Sequence, residues 1–488
     1  MPEEHPIKLV LTDDLERRRP TVFFRLILAI PHFIWLAVLS IVAVLVVIIA
    51  WFAALITGRT PVELHRFLAF YVKYVTQFYA YLYLVAEPYP SFYAADGYPL
   101  DLDIDPPARQ SRLKVLFRLP LAVPAVLILT VLSGNGFSTG TRNSRTTFSG
   151  RAGLLFVATV FAWFATLARG RTPRGLRDAA AYSLSYAAQF WGYFLLLTDR
   201  YPNSDPFAAV PNLPHRSDPV RLEGEDDLRR SRLTVFFRLP LVLPHIVWLL
   251  AWSILALLAA VANWIATLAT ATPPRGLHRF LSAYVRYTVS VYAFLYVLAN
   301  PFPGFAGSAG SYPLDAIVAD PVRQNRWKVA FRLILAIPAL TLMSVYSALA
   351  SSAAFLGWFA SLVTAEMPKG LRNAGVLALR YHAQGLAYLM VLTDAYPYTG
   401  PCFESSAPPQ AEPPDQPEEP EQPQPPVQPE QSEQSSQPQP PAQPQPPAQQ
   451  PEQSERSAQP QPSAQPEQAE QPQPPGEAAP HDPFATEN

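Results

Sequence analysis

The sequence predicts an all-α polytopic membrane protein. It has four tandem units of about two transmembrane helices each, short interfacial β-strands and a disordered C-terminal tail. Three observations carry this prediction. Between Leu26 and Gly58 there is one His and no charged side chain, and a spanning helix needs about 20 apolar residues. That stretch recurs three more times, which marks an internal repeat. Finally, the last part of the chain is Pro, Gln, Glu, Ser and Ala, a composition that buries nothing.

The repeat sets the domain organisation. Thr21–Thr60 reappears as Thr234–Pro273, and RLPLAVP (Arg118–Pro124) and RLILAIP (Arg332–Pro338) match Arg25–Pro31. The units are residues 1–93, 94–206, 207–306 and 307–403, with an insertion in the second within 133–153 and the tail at 404–488. Unit 1 resembles unit 3, and unit 2 resembles unit 4. Net charge is −1, so nucleic acid is not an expected partner. The single Cys402 excludes an internal disulfide and a cysteine-based zinc site. The acidic start, MPEEHPIKLVLTDD, has no apolar core and does not read as a signal peptide.

Within each unit the elements follow in order. A β-rich segment comes first (Pro6–Leu11, Tyr98–Ile104, Pro219–Glu223, Tyr312–Val318), and the four are expected to pair into a small sheet. An Arg-rich approach follows. It ends in one Arg six residues before a proline: Arg25, Arg118, Arg238 and Arg332. These arginines are expected to reach lipid phosphate from an interfacial helix, which the proline then kinks into the span. Trp51, Trp163, Trp264 and Trp358 stand near the span's end, as interface anchors do. The span closes at a Gly/Thr/Pro turn, followed in units 2 to 4 by P-[KR]-G-L. The cations there (Arg171, Arg174, Arg177, Arg275, Lys369, Arg372) are candidates for an anionic headgroup at a helix start. A second helix completes the unit. Eight spans result; three per unit is the alternative, because the polar insertion of unit 2 falls inside an apolar run. The strand-bearing side carries more Lys and Arg than the turns, which predicts a multi-pass cell-membrane protein with both termini cytoplasmic.

RLILAIPHFIW (Arg25–Trp35), WFAALITGRTP (Trp51–Pro61), TPRGL (Thr172–Leu176) and LLTDRYP (Leu196–Pro202) carry a resemblance. The chain resembles the bacterial membrane family called domain of unknown function 4389, in tandem copies from about Pro6 to Pro397. The resemblance implies an actinobacterial-type inner membrane protein and no activity. Unit 1 lacks the glycine of the P-[KR]-G-L motif, with Pro61-Val-Glu-Leu64 in its place, and unit 2 carries the irregular insertion.

The second helices hold the candidate site. Each carries an aromatic–polar–aromatic stripe at offsets of 3 and 7, hence on one face. The residues are Tyr74, Gln77 and Tyr81; Tyr186, Gln189 and Tyr193; Tyr287, Ser290 and Phe294; Tyr381, Gln384 and Tyr388. Either the stripes meet around an axis and line a polar path, or they hold the bundle together. His32 with His245, and His65 with His278, form two pairs without a carboxylate or thiol to complete a metal site. No metal, cofactor or catalytic motif is expected. The leading expectation is a non-enzymatic membrane scaffold, with the lipid bilayer and a protein bound by the Pro-rich tail as partners. The alternative is a channel or facilitator for a small uncharged solute or lipid. Oligomeric state is open.

Overall fold

A computed structural model describes residues 5–134, 152–224 and 227–404. Most of the unit 2 insertion, and the tail beyond residue 404, lie outside the described residues.

Unit 1 begins with β1 (Ile7–Leu11), then α1 (Arg19–Leu28), α2 (Ile30–Thr57) and α3 (Val62–Leu82). Unit 2 has β2 (Leu100–Ile104), a short α4 (Arg112–Leu116), α5 (Arg118–Ser133), α6 (Leu154–Arg169) and α7 (Arg174–Phe194). A linker holds α8 (Pro206–Ala209) and β3 (His215–Arg216). Unit 3 has β4 (Val220–Glu223), α9 (Arg232–Phe236), α10 (Arg238–Thr270) and α11 (Arg275–Leu295). Unit 4 has β5 (Asp315–Val318), α12 (Arg326–Ala330), α13 (Arg332–Thr364) and α14 (Lys369–Leu389), and β6 (Phe403–Glu404) follows.

Each unit is a helical hairpin: a long apolar helix, a tight turn and a 21-residue amphipathic helix. The long helix ends on a left-handed residue, Gly58, Gly170, Ala271 or Ala365, with φ of 73°, 77°, 63° and 62°. Glycine adopts this without strain; alanine does not. In unit 2 the long helix is cut into α5 and α6, and the halves abut: a Cβ on Gly153 would lie 2.1 Å from the Gly134 nitrogen.

Three features correct the expectations. The four strands do not form one sheet. They make two antiparallel ribbons, β1 with β2 (Ile7 opposite Ile104) and β4 with β5 (Val220 opposite Val318). A short parallel pairing of β3 with β6 was not foreseen. The bend before the long helix is not at the proline. It falls at Phe117, Phe237 and Phe331, one residue ahead of the arginine, and at Ala29 in unit 1, while Pro124, Pro244 and Pro338 lie inside continuous helix. Among the described residues, three helices are long and apolar enough to cross a membrane, α2, α10 and α13. The rest of the expected eight fall short: in unit 2 the first span is divided into the shorter apolar helices α5 and α6, and the four second helices are not apolar enough. Lys73, Arg286 and Arg380 stand near their midpoints, and each hydrogen-bonds within the protein.

Units associate in antiparallel pairs. The approach of unit 1 meets the turn of unit 2: Arg17 N–H donates to Gly170 O (3.0 Å), and Thr172 N–H to Leu15 O (2.9 Å). The approach of unit 2 meets the turn of unit 1, through Gln110 N–H to Gly58 O at 2.9 Å. Units 3 and 4 repeat this with Arg230 to Ala365 and Gln324 to Ala271. The tryptophans tie the same junctions. Trp51, Trp163, Trp264 and Trp358 donate their indole N–H to Val115, Val22, Val329 and Val235, each in the other unit of its pair.

Candidate functional site

One device recurs at the open end of every hairpin. The second helix ends in a left-handed residue that is not glycine: Leu84, Leu196, Val297 and Val391, with φ between 60° and 65°. A β-branched or bulky side chain there is strained and persists only where its surroundings fix it. What fixes it is the arginine of the R-x5-P motif. Arg25, Arg118, Arg238 and Arg332 are buried, and their guanidinium groups lie 4.1–4.5 Å from the ring centres of Tyr81, Tyr193, Phe294 and Tyr388. Arg25, Arg118 and Arg238 also donate to the main-chain carbonyl of that same aromatic. A second carbonyl past the helix end accepts from Arg25 (Ala86, 3.2 Å), Arg118 (Thr198, 3.0 Å) and Arg332 (Thr393, 3.0 Å). A planar fork suits such paired acceptors better than an ammonium.

Eight residues before each clamp arginine stands a second donor: Arg17, Gln110, Arg230 and Gln324. It caps the carbonyl of the left-handed residue itself. Arg17 donates to Leu84 O (3.2 Å), Gln110 to Leu196 O (2.7 Å), Arg230 to Val297 O (3.2 Å) and Gln324 to Val391 O (3.0 Å). In units 2 and 4 the glutamine Oε1 also accepts from the clamp arginine at 2.8 Å. The clamp thus satisfies carbonyls a helix end leaves orphaned. The clamp arginines point inward in all four units, not outward from an interfacial helix.

The stripes are buried, as one face of each second helix, but they do not meet at a common axis. Tyr74 and Tyr287 bond His32 Nδ1 and His245 Nδ1 of their own hairpins at 2.7 and 2.8 Å. Tyr186 donates to Ala125 O (3.2 Å), the residue in His32's place, and Tyr381 packs on Tyr346. Tyr81, Tyr193, Phe294 and Tyr388 lie under the clamp. The polar member faces a ribbon instead. Gln77 donates to Asp101 Oδ1 (3.1 Å), Gln189 to Ile7 O (3.3 Å) and Gln384 to Val220 O (3.0 Å), while Ser290 bonds back to Arg286 O in its own helix. A cavity of about 670 Å³ opens between α5, the end of α13 and the Arg200–Ser204 loop, and Tyr186 is the one stripe residue that lines it.

Each His32 and His245 ring is enclosed by its own unit, stacked on Phe92 or Phe305 at 4.3 Å, so the two do not converge. Among the described residues no group of three His, Cys, Asp or Glu side chains is placed to hold a metal. The turn cations divide. Arg171, Arg275 and Lys369 are exposed. Arg177 is buried, 2.7 Å from Asp178, and Arg174 donates to Asn212 O (2.8 Å); half-buried Arg372 donates to Asn373 Oδ1 (3.2 Å).

Sequence reading missed the glutamine caps, the cations twelve residues past the turn proline in units 1, 3 and 4 (Lys73, Arg286, Arg380; Ser185 stands there in unit 2), and Asp178. The first two had a readable signal, a constant offset from the motif arginine or the turn proline. Asp178, the fifth residue of α7, is a buried carboxylate bonded by Arg177 and by Tyr398 Oη (3.2 Å) of unit 4, a contact 220 residues away.

Repeated hairpins locked by inward arginines, with long helices that in three units are apolar enough to cross a membrane, define a repeat protein. The family model described as domain of unknown function (DUF4389) matches residues 19–94, 151–205, 232–306 and 326–399, more than half of the chain in four tandem copies. The chain belongs to that family. No curated protein and no solved structure matches it.

Proposed function

We propose that the protein is a non-enzymatic scaffold of the cell membrane, with its Pro-rich tail as the segment that meets protein partners. One observation carries this reading: the conspicuous polar residues are used internally. The clamps bind main-chain carbonyls, the tyrosines bond within their hairpins and the glutamines fasten the ribbons. What remains exposed is an apolar surface. On α2 alone Ile34, Ile41, Val44, Leu45 and Ile56 are each more than half exposed; exposed apolar area on this scale marks a contact surface for a membrane or a protein, and this reading assigns it to lipid. The tail, with one Arg (Arg456) among many acidic residues and PQPPAQ repeats, supplies PxxP spacing for aromatic grooves. Both termini face the cytoplasm in this reading. The stripe-lined path is not favoured, since its twelve residues belong to four separate packing sites.

Reconstitution separates scaffold from facilitator. Vesicles containing the protein should pass small uncharged solutes no faster than protein-free vesicles. Flux that disappears when Gln77, Gln189 and Gln384 become Leu in a folded protein would overturn the reading. Removing residues 405–488 should abolish co-purifying proteins while the remainder stays with the membrane.

A further inference from the structure

The membrane reading leaves open how the hairpins lie in lipid, and the pairing of units bears on that. In units 1 and 2 the clamp of one unit and the turn of the other share one end of the pair. The two ends are held apart by α3, 21 residues or about 30 Å of helix. The chain therefore runs from end to end outside the helices as well. Residues 84–110 leave the end of α3 beside Arg17 and arrive beside Gly58. On the way they carry Glu87, Asp96, Asp101, Asp103 and Asp105 and form β2.

The β1–β2 ribbon lies along this route. Its inner face, Ile7, Leu9, Leu100 and Leu102, packs on the second helices. Its outer face places exposed Lys8 opposite exposed Asp103. Beneath the ribbons are the mid-helix cations: Lys73 with Asp96 and Asp101, and Arg286 with Ala316 O. The long helices lie against another face of the second helices and expose aliphatic side chains.

If the hairpins ran along the bilayer normal, this charged ribbon would face lipid near mid-depth, at about 2.5–3.5 kcal/mol per charge. The linker of residues 84–110 would also cross the hydrocarbon as irregular chain, which lipid does not tolerate. α10 and α13, 33 residues and about 50 Å each, also exceed a core of about 30 Å. Turning the long axis parallel to the surface removes all three conflicts. We propose that the hairpins lie in the plane of the membrane, with α2, α5, α6, α10 and α13 immersed in a single lipid leaflet. The ribbons and the mid-helix cations then face water, and the turns and approaches of all units share one side. The occupant of the apolar face is the acyl-chain layer of one leaflet. This deepens the membrane reading and rests on it.

The test uses single cysteines in a Cys402→Ser background. Arg59→Cys and Arg171→Cys stand in exposed turns at opposite ends of the unit 1–unit 2 pair. With a membrane-impermeant maleimide, both should label under the same condition, either in intact cells or only after permeabilisation. Labelling of the two from opposite sides would overturn the proposal. Spin labels at Ile34, Ile41, Ile48 and Ile56, all exposed along α2, give an independent readout in phosphatidylglycerol–phosphatidylethanolamine vesicles. A flat immersion profile is expected; a profile deepest at Ile41 and Ile48 and shallow at both ends would overturn it. Failure of the membrane reading looks different: the protein would stay with the soluble fraction.

Discussion

Units 1 and 3 differ from units 2 and 4 in ways that track what each touches. All four share the arginine clamp, the left-handed helix end and the Trp tie to the neighbouring unit. In the odd units the position after the motif proline is histidine (His32, His245), bonded to the stripe tyrosine. In the even units it is alanine, and Tyr186 turns to the Ala125 carbonyl. The odd units cap the helix end with arginine, the even units with glutamine. The even units also build the seam between the two pairs, where Tyr398 meets Asp178 and Asn373 Nδ2 donates to Asp205 at 2.8 Å. Accordingly α13 is far more buried than α2 or α10, with 44% against 17% of the apolar window enclosed. The common parts make a hairpin; the variable parts decide its neighbours.

The clamp should therefore be indispensable in either kind of unit. Arg332→Ala strands buried carbonyls, at about 1–3 kcal/mol each, and should prevent recovery of folded protein from detergent. Arg25→Ala should do the same, and a mild effect in either would break the equivalence. Next in size, Asp178→Ala should act on the seam and on the α7 start that borders it. It removes an acceptor shared by Arg177 and Tyr398, and should split the single thermal transition into two, seen by calorimetry. His245→Ala makes an odd unit resemble an even one. It leaves the Tyr287 hydroxyl buried without its hydrogen-bond partner, at about 1–3 kcal/mol, read as a lower unfolding midpoint.

Cys402 gives a chemical reading of the same seam. The thiol is buried against Arg380 (2.8 Å), and burial pushes its pKa up to about 11. The thiolate is the reactive form, so the folded protein should react with maleimide at neutral pH at least about 100-fold slower than the unfolded chain. The smallest effect belongs to the turns. Ala271→Gly relieves a left-handed alanine where unit 1 already has Gly58, and should stabilise by about 0.5–1 kcal/mol, whereas Gly58→Ala should destabilise.

Much of this was legible in the sequence. The four units, the R-x5-P arginines, the stripes and the strand positions all follow from repeats with constant offsets. The direction in which the arginines point was not. An arginine beside aromatic residues at the start of an apolar helix has the same local pattern whether it meets phosphate or a helix-end carbonyl. The partner carbonyls lie 56 to 80 residues away in sequence. The antiparallel pairing of units was hidden for the same reason, since it depends on main-chain bonds between turns and approaches that no side-chain pattern records. The second helices misled in another way. Their length suits a span, but Lys73 and Arg286 mark the face beneath a ribbon, and Arg380 is held at the seam by Cys402 and the Gly400 carbonyl.

The most direct test of the central claim, an apolar layer of helices lying flat in one leaflet, is oriented circular dichroism of the full chain in aligned bilayer stacks. The account predicts the spectrum of helices parallel to the surface, with the parallel-polarised amide band retained. Loss of that band, the signature of helices along the bilayer normal, would contradict it.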